Sequence, residues 1–478
     1  MLIGRSLAER TPPEPVPATA KPFRTPLSGE QLFGADLDLW LAALVLDGKL
    51  KPDSTLEDFR ALVEANWARG FALLRGELER LELNPIKLVT HLADLLPEGQ
   101  APVSAPFGAG ARDAGEIRLK VGPVSQTHPG GKPVDFVLNG PATPPHIALM
   151  GAVAKGKTTT GVQLALQIVQ QAGVPFLFID PKGEFVVEGG LVGPFAALGD
   201  AVTAVEVGKQ VLPLDFLPDA AAPTLRIATA AARLRDSLAL CCQSAGDLQK
   251  DLLRTAIQDV INDGAEHSLE AINAYYQRAL SANGKSPDSI VSRLNELTNI
   301  PCFRPQLSPA QFFGRSWVVS LKGLPEELKR LITLILLDTA SAFLLDQPDS
   351  PVPGGFRTLR HLLVVDEARK VLQERRSESL VDLVRQGRSK GSVVMLLSQD
   401  PSDFEGQADD FLSQLGTVIA FACAQSQRGL RALAGVFGRK VQPNEFTDTY
   451  LTRGVALVKL PEREPERIRC WQPATSEN

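Results

Sequence analysis

Residues 147–158 read Ile-Ala-Leu-Met-Gly-Ala-Val-Ala-Lys-Gly-Lys-Thr, and this stretch decides the fold. Gly151-Ala152-Val153-Ala154-Lys155-Gly156-Lys157-Thr158 fits the pattern GxxxxGK[ST] without adjustment. Four apolar residues precede it and a helix-periodic run over 158–171 follows, so the pattern sits between a strand and a helix. In such a turn consecutive backbone N–H groups point inward, backed by the positive end of the helix, and phosphate groups are the ligands that fit. Lys157 is placed to neutralise β and γ phosphates, and Thr158 to offer a hydroxyl to Mg²⁺. Gly151, Ala154, Lys155, Gly156 and Thr159 complete the expected cradle.

A phosphate site with Mg²⁺ needs an acid at the end of another apolar strand, because Mg²⁺ takes hard oxygen ligands and keeps several waters. Leu362-Leu363-Val364-Val365-Asp366-Glu367 supplies one. Asp366 is expected to hold the metal through water and Glu367 to polarise the attacking water. Two more strand ends point the same way. Asp180 and Glu184 follow the apolar run 176–179, and Gln399 follows 393–397. In a parallel sheet such positions gather where a ligand binds. Asp180 and Glu184 are therefore assigned to the nucleotide, although Glu184 also reads as an acid favoured at a helix start. Gln399 is assigned to orienting water or sensing the γ-phosphate.

Further strands are expected at 317–321, 417–422 and 454–460, with helices over 326–345 and 379–388. Alternation of this kind predicts an α/β fold, a mostly parallel sheet flanked by helices. Residues 220–305 read as mostly helical and are taken as an insertion. The core is assigned to 115–460, followed by a tail at 461–478. Before it, 1–22 reads as a flexible tail and 98–114, rich in Pro, Gly and Ala, as a linker. Residues 23–97 read as a small helical domain, with Leu37, Trp40, Leu41, Leu44 and Val45 on one face and Phe59, Leu62, Val63 and Trp67 repeating that spacing.

The 478 residues carry 50 Lys and Arg against 55 Asp and Glu, a net charge of −5. No global positive field draws the molecule to nucleic acid or anionic lipid, so contact with a polyanion would need a local patch or a channel built by assembly. Five scattered cysteines give neither a disulfide framework nor a CxxC metal site and fit a reducing compartment. The start lacks an apolar leader core. The most apolar stretch, 331–345, is broken by Thr333, Asp338, Thr339 and Ser341, so it reads as a buried helix. A cytoplasmic protein with no membrane insertion is expected.

The segments PHIALMGAVAKGKTTT, FLFIDPKGEF, HLLVVDEARKVL, LVRQGRSKG and VVMLLSQDPSDF occur in that order. Together they resemble the HerA/FtsK branch of RecA-like P-loop motors, which includes DNA translocases and the ATPases of conjugation and type IV secretion. The resemblance covers roughly 116–460. It implies ATP and Mg²⁺ at the interfaces of a homo-oligomeric ring, usually a hexamer, with double-stranded DNA or a polypeptide in the pore. It also implies an arginine that reaches the neighbouring subunit's γ-phosphate. Arg388 occupies the matching place, with Arg385 as the nearby alternative. The P-loop departs from the branch, reading Ala-Val-Ala-Lys where Thr-Gly-Ser-Gly is usual, and Lys155 is expected to add a charge beside the phosphates. The basic residues within 368–390 either line a pore or form a solvated face. Three functions remain open: a ring motor translocating double-stranded DNA, an ATPase energising export or assembly of a protein, and a slow nucleotide-gated scaffold. In the last, the N-terminal helices would bind a protein partner.

Overall fold

The computed structural model describes scattered positions between 55 and 75, then residues 115–122, 134–141, 144–242, 245–372, 378–404, 411–424 and 426–471. The chain divides into two compact units, Met1–Val103 and Ser104–Asn478. In the first, the described positions from 58 to 75 are helical. The expected tail at 1–22, the face carrying Leu37 to Val45 and the linker at 98–114 lie outside the described residues.

The second unit opens with an antiparallel pair, β1 (Arg118–Lys120) and β2 (Asp135–Val137). There follow β3 (Ile147–Met150), α1 (Lys157–Ala172) and β4 (Phe176–Asp180), then a small hairpin of β5 (Val186–Val187) and β6 (Gly190–Leu191). Next come β7 (Val202–Glu206), β8 (Leu212–Leu214) and four helices, α2 (Thr224–Leu240), α3 (Asp247–Asn262), α4 (Leu269–Ala282) and α5 (Ser289–Thr298). Then come β9 (Phe303–Leu307), α6 (Pro309–Phe313), β10 (Ser316–Ser320), α7 (Glu326–Leu345), β11 (His361–Val365), α8 (Arg369–Leu372) and α9 (Glu378–Gln386). The chain finishes with β12 (Ser392–Ser398), β13 (Thr417–Phe421), α10 (Gln427–Phe437), β14 (Val455–Lys459) and β15 (Glu466–Arg469).

Nine of these strands form one sheet in the order β15-β14-β13-β3-β12-β11-β4-β10-β7. From β13 to β7 every pairing is parallel, and β14 and β15 are added antiparallel at one edge. The central strands β3, β4, β11, β12 and β13 are buried along their whole length. Continuous apolar runs such as Phe176-Leu177-Phe178-Ile179 suit this position, because a parallel sheet covered on both faces leaves no strand residue in water. Alternate residues feed the two faces. Leu149, Phe178 and Val364 pack with Val162, Leu164 and Ile168 of α1. Met150, Ile179 and Val365 join the larger core that contains α2 to α5 and α7. The segment read as an insertion therefore contributes buried residues to this core.

Two strands of the main sheet differ from expectation. β7 closes one edge of the sheet, pairing with β10, where no strand was expected. Residues 466–469, assigned to a C-terminal tail, form β15 and pair with β14, so the sheet extends past residue 460. The topology also sets the site. β12 lies between β3 and β11, placing the ends of three neighbouring parallel strands side by side. α1 lies close over β12, since a Cβ on Gly161 would come within 2.9 Å of the Leu397 side chain. No helix among the described residues is long and apolar enough to cross a membrane.

Candidate active site

β3 ends at Met150 and α1 begins at Lys157, so residues 151–156 form the turn between them. Gly156, the residue before α1, has φ 109°, which favours glycine, and Ala154 accepts a left-handed φ of 63°. The Gly151 amide donates to the Ser398 carbonyl at 3.2 Å and the Ala152 amide to the Ala422 carbonyl at 2.9 Å. These bonds fasten the start of the turn to β12 and to the end of β13. The first amides of α1, at Lys157, Thr158 and Thr159, have no partner within the helix, and an anion at its N-terminus would satisfy them.

Lys157 is buried, with 4% of its surface exposed. Burial pushes its ammonium below the ordinary lysine range, and the nearby Asp366 carboxylate is the strongest force opposing that. Asp366, at the end of β11, is fully buried. One of its oxygens accepts the Glu367 amide at 2.8 Å, and Oδ2 has no hydrogen-bond partner. Burial raises its carboxyl to about 6, against the pull of Lys157 and Lys182. An unpartnered, buried carboxylate oxygen near the start of α1, which carries Thr158, suits a hard divalent cation, so Thr158 and Asp366 are a donor set that fits Mg²⁺.

Glu367 takes the left-handed region with φ 52°, a conformation that costs a non-glycine residue about 1–3 kcal/mol and concentrates at functional sites. Its Oε1 accepts from Gln399 Nε2 and from Lys182 Nζ, each at 2.9 Å. Burial alone would raise this carboxyl, but the bonds from Lys182 and Gln399 outweigh it and hold the group below its ordinary range. The side chains of Lys157, Asp366, Glu367 and Gln399 thus converge from the start of α1 and the ends of β11 and β12.

Other expected residues fall elsewhere. Both oxygens of Asp180 are engaged by their own turn: one accepts the amides of Lys182 (3.2 Å) and Gly183 (2.8 Å), the other that of Phe185 (3.0 Å). Asp180 therefore shapes the turn rather than facing a ligand. Glu184 is exposed and is followed by β5, not by a helix. The extra charge expected at Lys155 is drawn aside, because its ammonium pairs with Asp448 at 2.7 Å. The same residue's carbonyl accepts the Gly454 amide at 2.9 Å. Nearby, the Thr160 hydroxyl donates to the Trp471 carbonyl at 3.2 Å, and the Cys470 amide donates to the Gly454 carbonyl at 2.7 Å.

Arg388 precedes β12, so it sits at the opposite end of the parallel strands from the P-loop, where its guanidinium donates to the Pro141 carbonyl. Arg385 is exposed in the last turn of α9. Neither can reach the nucleotide site of its own chain from there. Sequence reasoning missed Lys182, although it lies between two assigned acids. A lysine in a polar turn carries no pattern of its own, and only the pairing of β4 with β11 brings it to Glu367.

No protein-family model matches the sequence, and no curated protein matches it. Among solved structures, VirB4 of Thermoanaerobacter pseudethanolicus superposes with a TM-score of 0.56 at 17% identity, over 76% of this chain and 99% of that one. The plasmid coupling protein TrwB in complex with ADP and Mg²⁺ gives a TM-score of 0.50 at 14% identity, over 73% of this chain and 90% of that one. At these identities the likeness concerns the fold. The chain shares with them a RecA-like fold, a mostly parallel sheet flanked by helices, as its motif order led us to expect.

Proposed function

We propose that this chain hydrolyses ATP with Mg²⁺. The observation that carries the reading is the convergence of Lys157, Asp366, Glu367 and Gln399 from adjacent parallel strands. TrwB, which shares the fold, holds ADP and Mg²⁺. The amides that begin α1, together with Lys157, would bind the phosphates. Thr158 and Asp366 would hold Mg²⁺, which supplies neutralisation of phosphate charge. Glu367, kept ionised by its neighbours, would accept the proton of the attacking water, and Gln399 would orient that water. Glu367→Gln should keep ATP bound while turnover falls roughly 10²–10⁴-fold. Normal turnover in that variant would move the base elsewhere.

The finer reading is a ring of identical subunits, a hexamer by the resemblance, that works in the cytoplasm and translocates double-stranded DNA. The fold shared with VirB4 and with the conjugative coupling protein TrwB supports a translocation or secretion ATPase. Arg388, facing away from its own P-loop, would serve the neighbouring subunit. Mixing Arg388→Ala with Lys157→Ala subunits should then restore some active interfaces, and no rescue in intact rings would count against it. The net charge of −5 favours a second reading, in which the driven substrate is a protein. ATPase activity raised several-fold by duplex DNA supports the first reading. Turnover indifferent to DNA but raised by a protein supports the second.

A further inference from the structure

We infer that Lys182 is a positioning residue that pins Glu367 until the terminal phosphate of a nucleoside triphosphate draws its ammonium away. This rests on the ATPase reading above and adds a control step to the same site. Three observations support it.

The turn that carries Lys182 is fixed. Asp180 fastens it through three backbone amides. Gly183 has φ 68°, and a Cβ there would stand 2.6 Å from the Lys322 Cβ and 2.7 Å from the Ser320 hydroxyl, so the turn lies tightly against the end of β10. The Lys182 backbone has little freedom to follow a ligand, and its flexible four-carbon stem is what can move.

The Lys182 head group is committed to Glu367. Nζ lies 2.9 Å from Glu367 Oε1, the oxygen that also accepts from Gln399, so one carboxylate oxygen carries two donors. A carboxylate held in this way has one oxygen engaged twice and its orientation fixed, so the side chain is not free to swing towards a water. Glu184 Oε1 stands 4.0 Å from the same Nζ, a second and longer acidic contact.

Lys182 is also close to the phosphate cation. Its charge disfavours the charged form of Lys157, which places the two ammonium groups in one electrostatic neighbourhood. The Lys182 side chain keeps 34% of its surface exposed, so a bound anion can reach it. A terminal phosphate offers more negative charge and more acceptor oxygens than one carboxylate, and it competes for the ammonium on those grounds. A diphosphate lacks that terminal group and would leave the pair closed. Glu367 is thereby released only while a triphosphate is present.

The test compares the full-length chain with Lys182→Met, which keeps the apolar stem, and Lys182→Arg, which keeps the charge. Binding is measured with a fluorescent non-hydrolysable ATP analogue and with the matching ADP analogue. Lys182→Met should lose about tenfold in triphosphate affinity and stay within about twofold for the diphosphate, a selective loss of one charge-assisted contact. Lys182→Arg should recover most of the difference. Equal losses for both nucleotides, or no loss, would overturn the role of Lys182. Lys157→Ala and Glu367→Gln run alongside. If the first binds like the parent or the second turns over like it, the ATPase reading fails and this inference with it. With both controls inactive as expected, an unchanged triphosphate-to-diphosphate ratio overturns the Lys182 role alone.

Discussion

The Gln399 carboxamide donates to the Glu367 carboxylate at 2.9 Å, joining the ends of two neighbouring parallel strands. The strand that bears Gln399 also pairs with the P-loop strand on its other side, so this amide lies on the strand between those that carry the proposed base and the P-loop. A hydrogen bond to a charged group contributes about 1.5–3 kcal/mol. Gln399→Ala should therefore lower kcat roughly ten- to hundredfold with little change in KM. Steady-state ATPase kinetics check this, and an unchanged kcat would leave Gln399 as a plain loop amide.

Lys157 lies buried where the phosphates would sit, and its charge is sustained mainly by Asp366. Removing one member of a buried charge pair costs about 2–5 kcal/mol. Lys157→Ala should weaken ATP binding by at least about thirtyfold. Equilibrium titration with a fluorescent nucleotide reads this directly, and unchanged affinity would refute the P-loop assignment.

Lys155 makes the opposite case. Its ammonium is paired with Asp448, whose side chain is 72% exposed. Exposed pairs of this kind contribute about 0–1 kcal/mol. Lys155→Ala should change nucleotide affinity by less than about fivefold. A loss as large as that of Lys157→Ala would show that Lys155 leaves Asp448 for the phosphates.

Asp338 on α7 joins three helices. Its oxygens accept the hydroxyls of Ser237 on α2 at 2.7 Å and Ser379 on α9 at 2.6 Å. Burial raises its carboxyl from 3.8 to about 6, against the two serine bonds and the charge of Arg233. A carboxyl raised in the folded state binds its proton more tightly there than in the unfolded chain. Its ionisation therefore removes stability as pH rises from 3.8 towards about 6. Asp338→Asn keeps the hydroxyl partners without the charge. The Tm difference, variant minus parent, should grow in the variant's favour between pH 4 and pH 7, and a constant difference would exclude the linkage.

The elements that could be read from the sequence were those with an interior signature. The five central strands are unbroken apolar runs, and the turn before α1 has a fixed spacing of Gly, Lys and Thr. β7, with Thr203 exposed, and β15, Glu-Arg-Ile-Arg, are edge or near-edge strands whose alternating or charged residues resemble loop sequence. Their place in the sheet is set by partners far along the chain. The acid pair and Gln399 were readable because they follow apolar strands. Asp180 follows one too, yet its oxygens are consumed by amides two, three and five residues on, a local outcome that composition does not separate from ligand binding. The pairing of Lys155 and the place of Lys182 were not readable for a related reason: their partners, Asp448 and Glu367, come from distant parts of the chain.

The hairpin of β14 and β15 returns the polypeptide to its own phosphate turn. Gly454 is tied to Lys155, Cys470 to Gly454, and the Trp471 carbonyl to Thr160. A Cβ on Gly156 would lie 3.1 Å from that same carbonyl. β15 and Trp471 are thereby anchored within one helical turn of the place where the nucleotide would rest. A shift of that hairpin and occupancy of the crevice would thus be felt at the same few atoms.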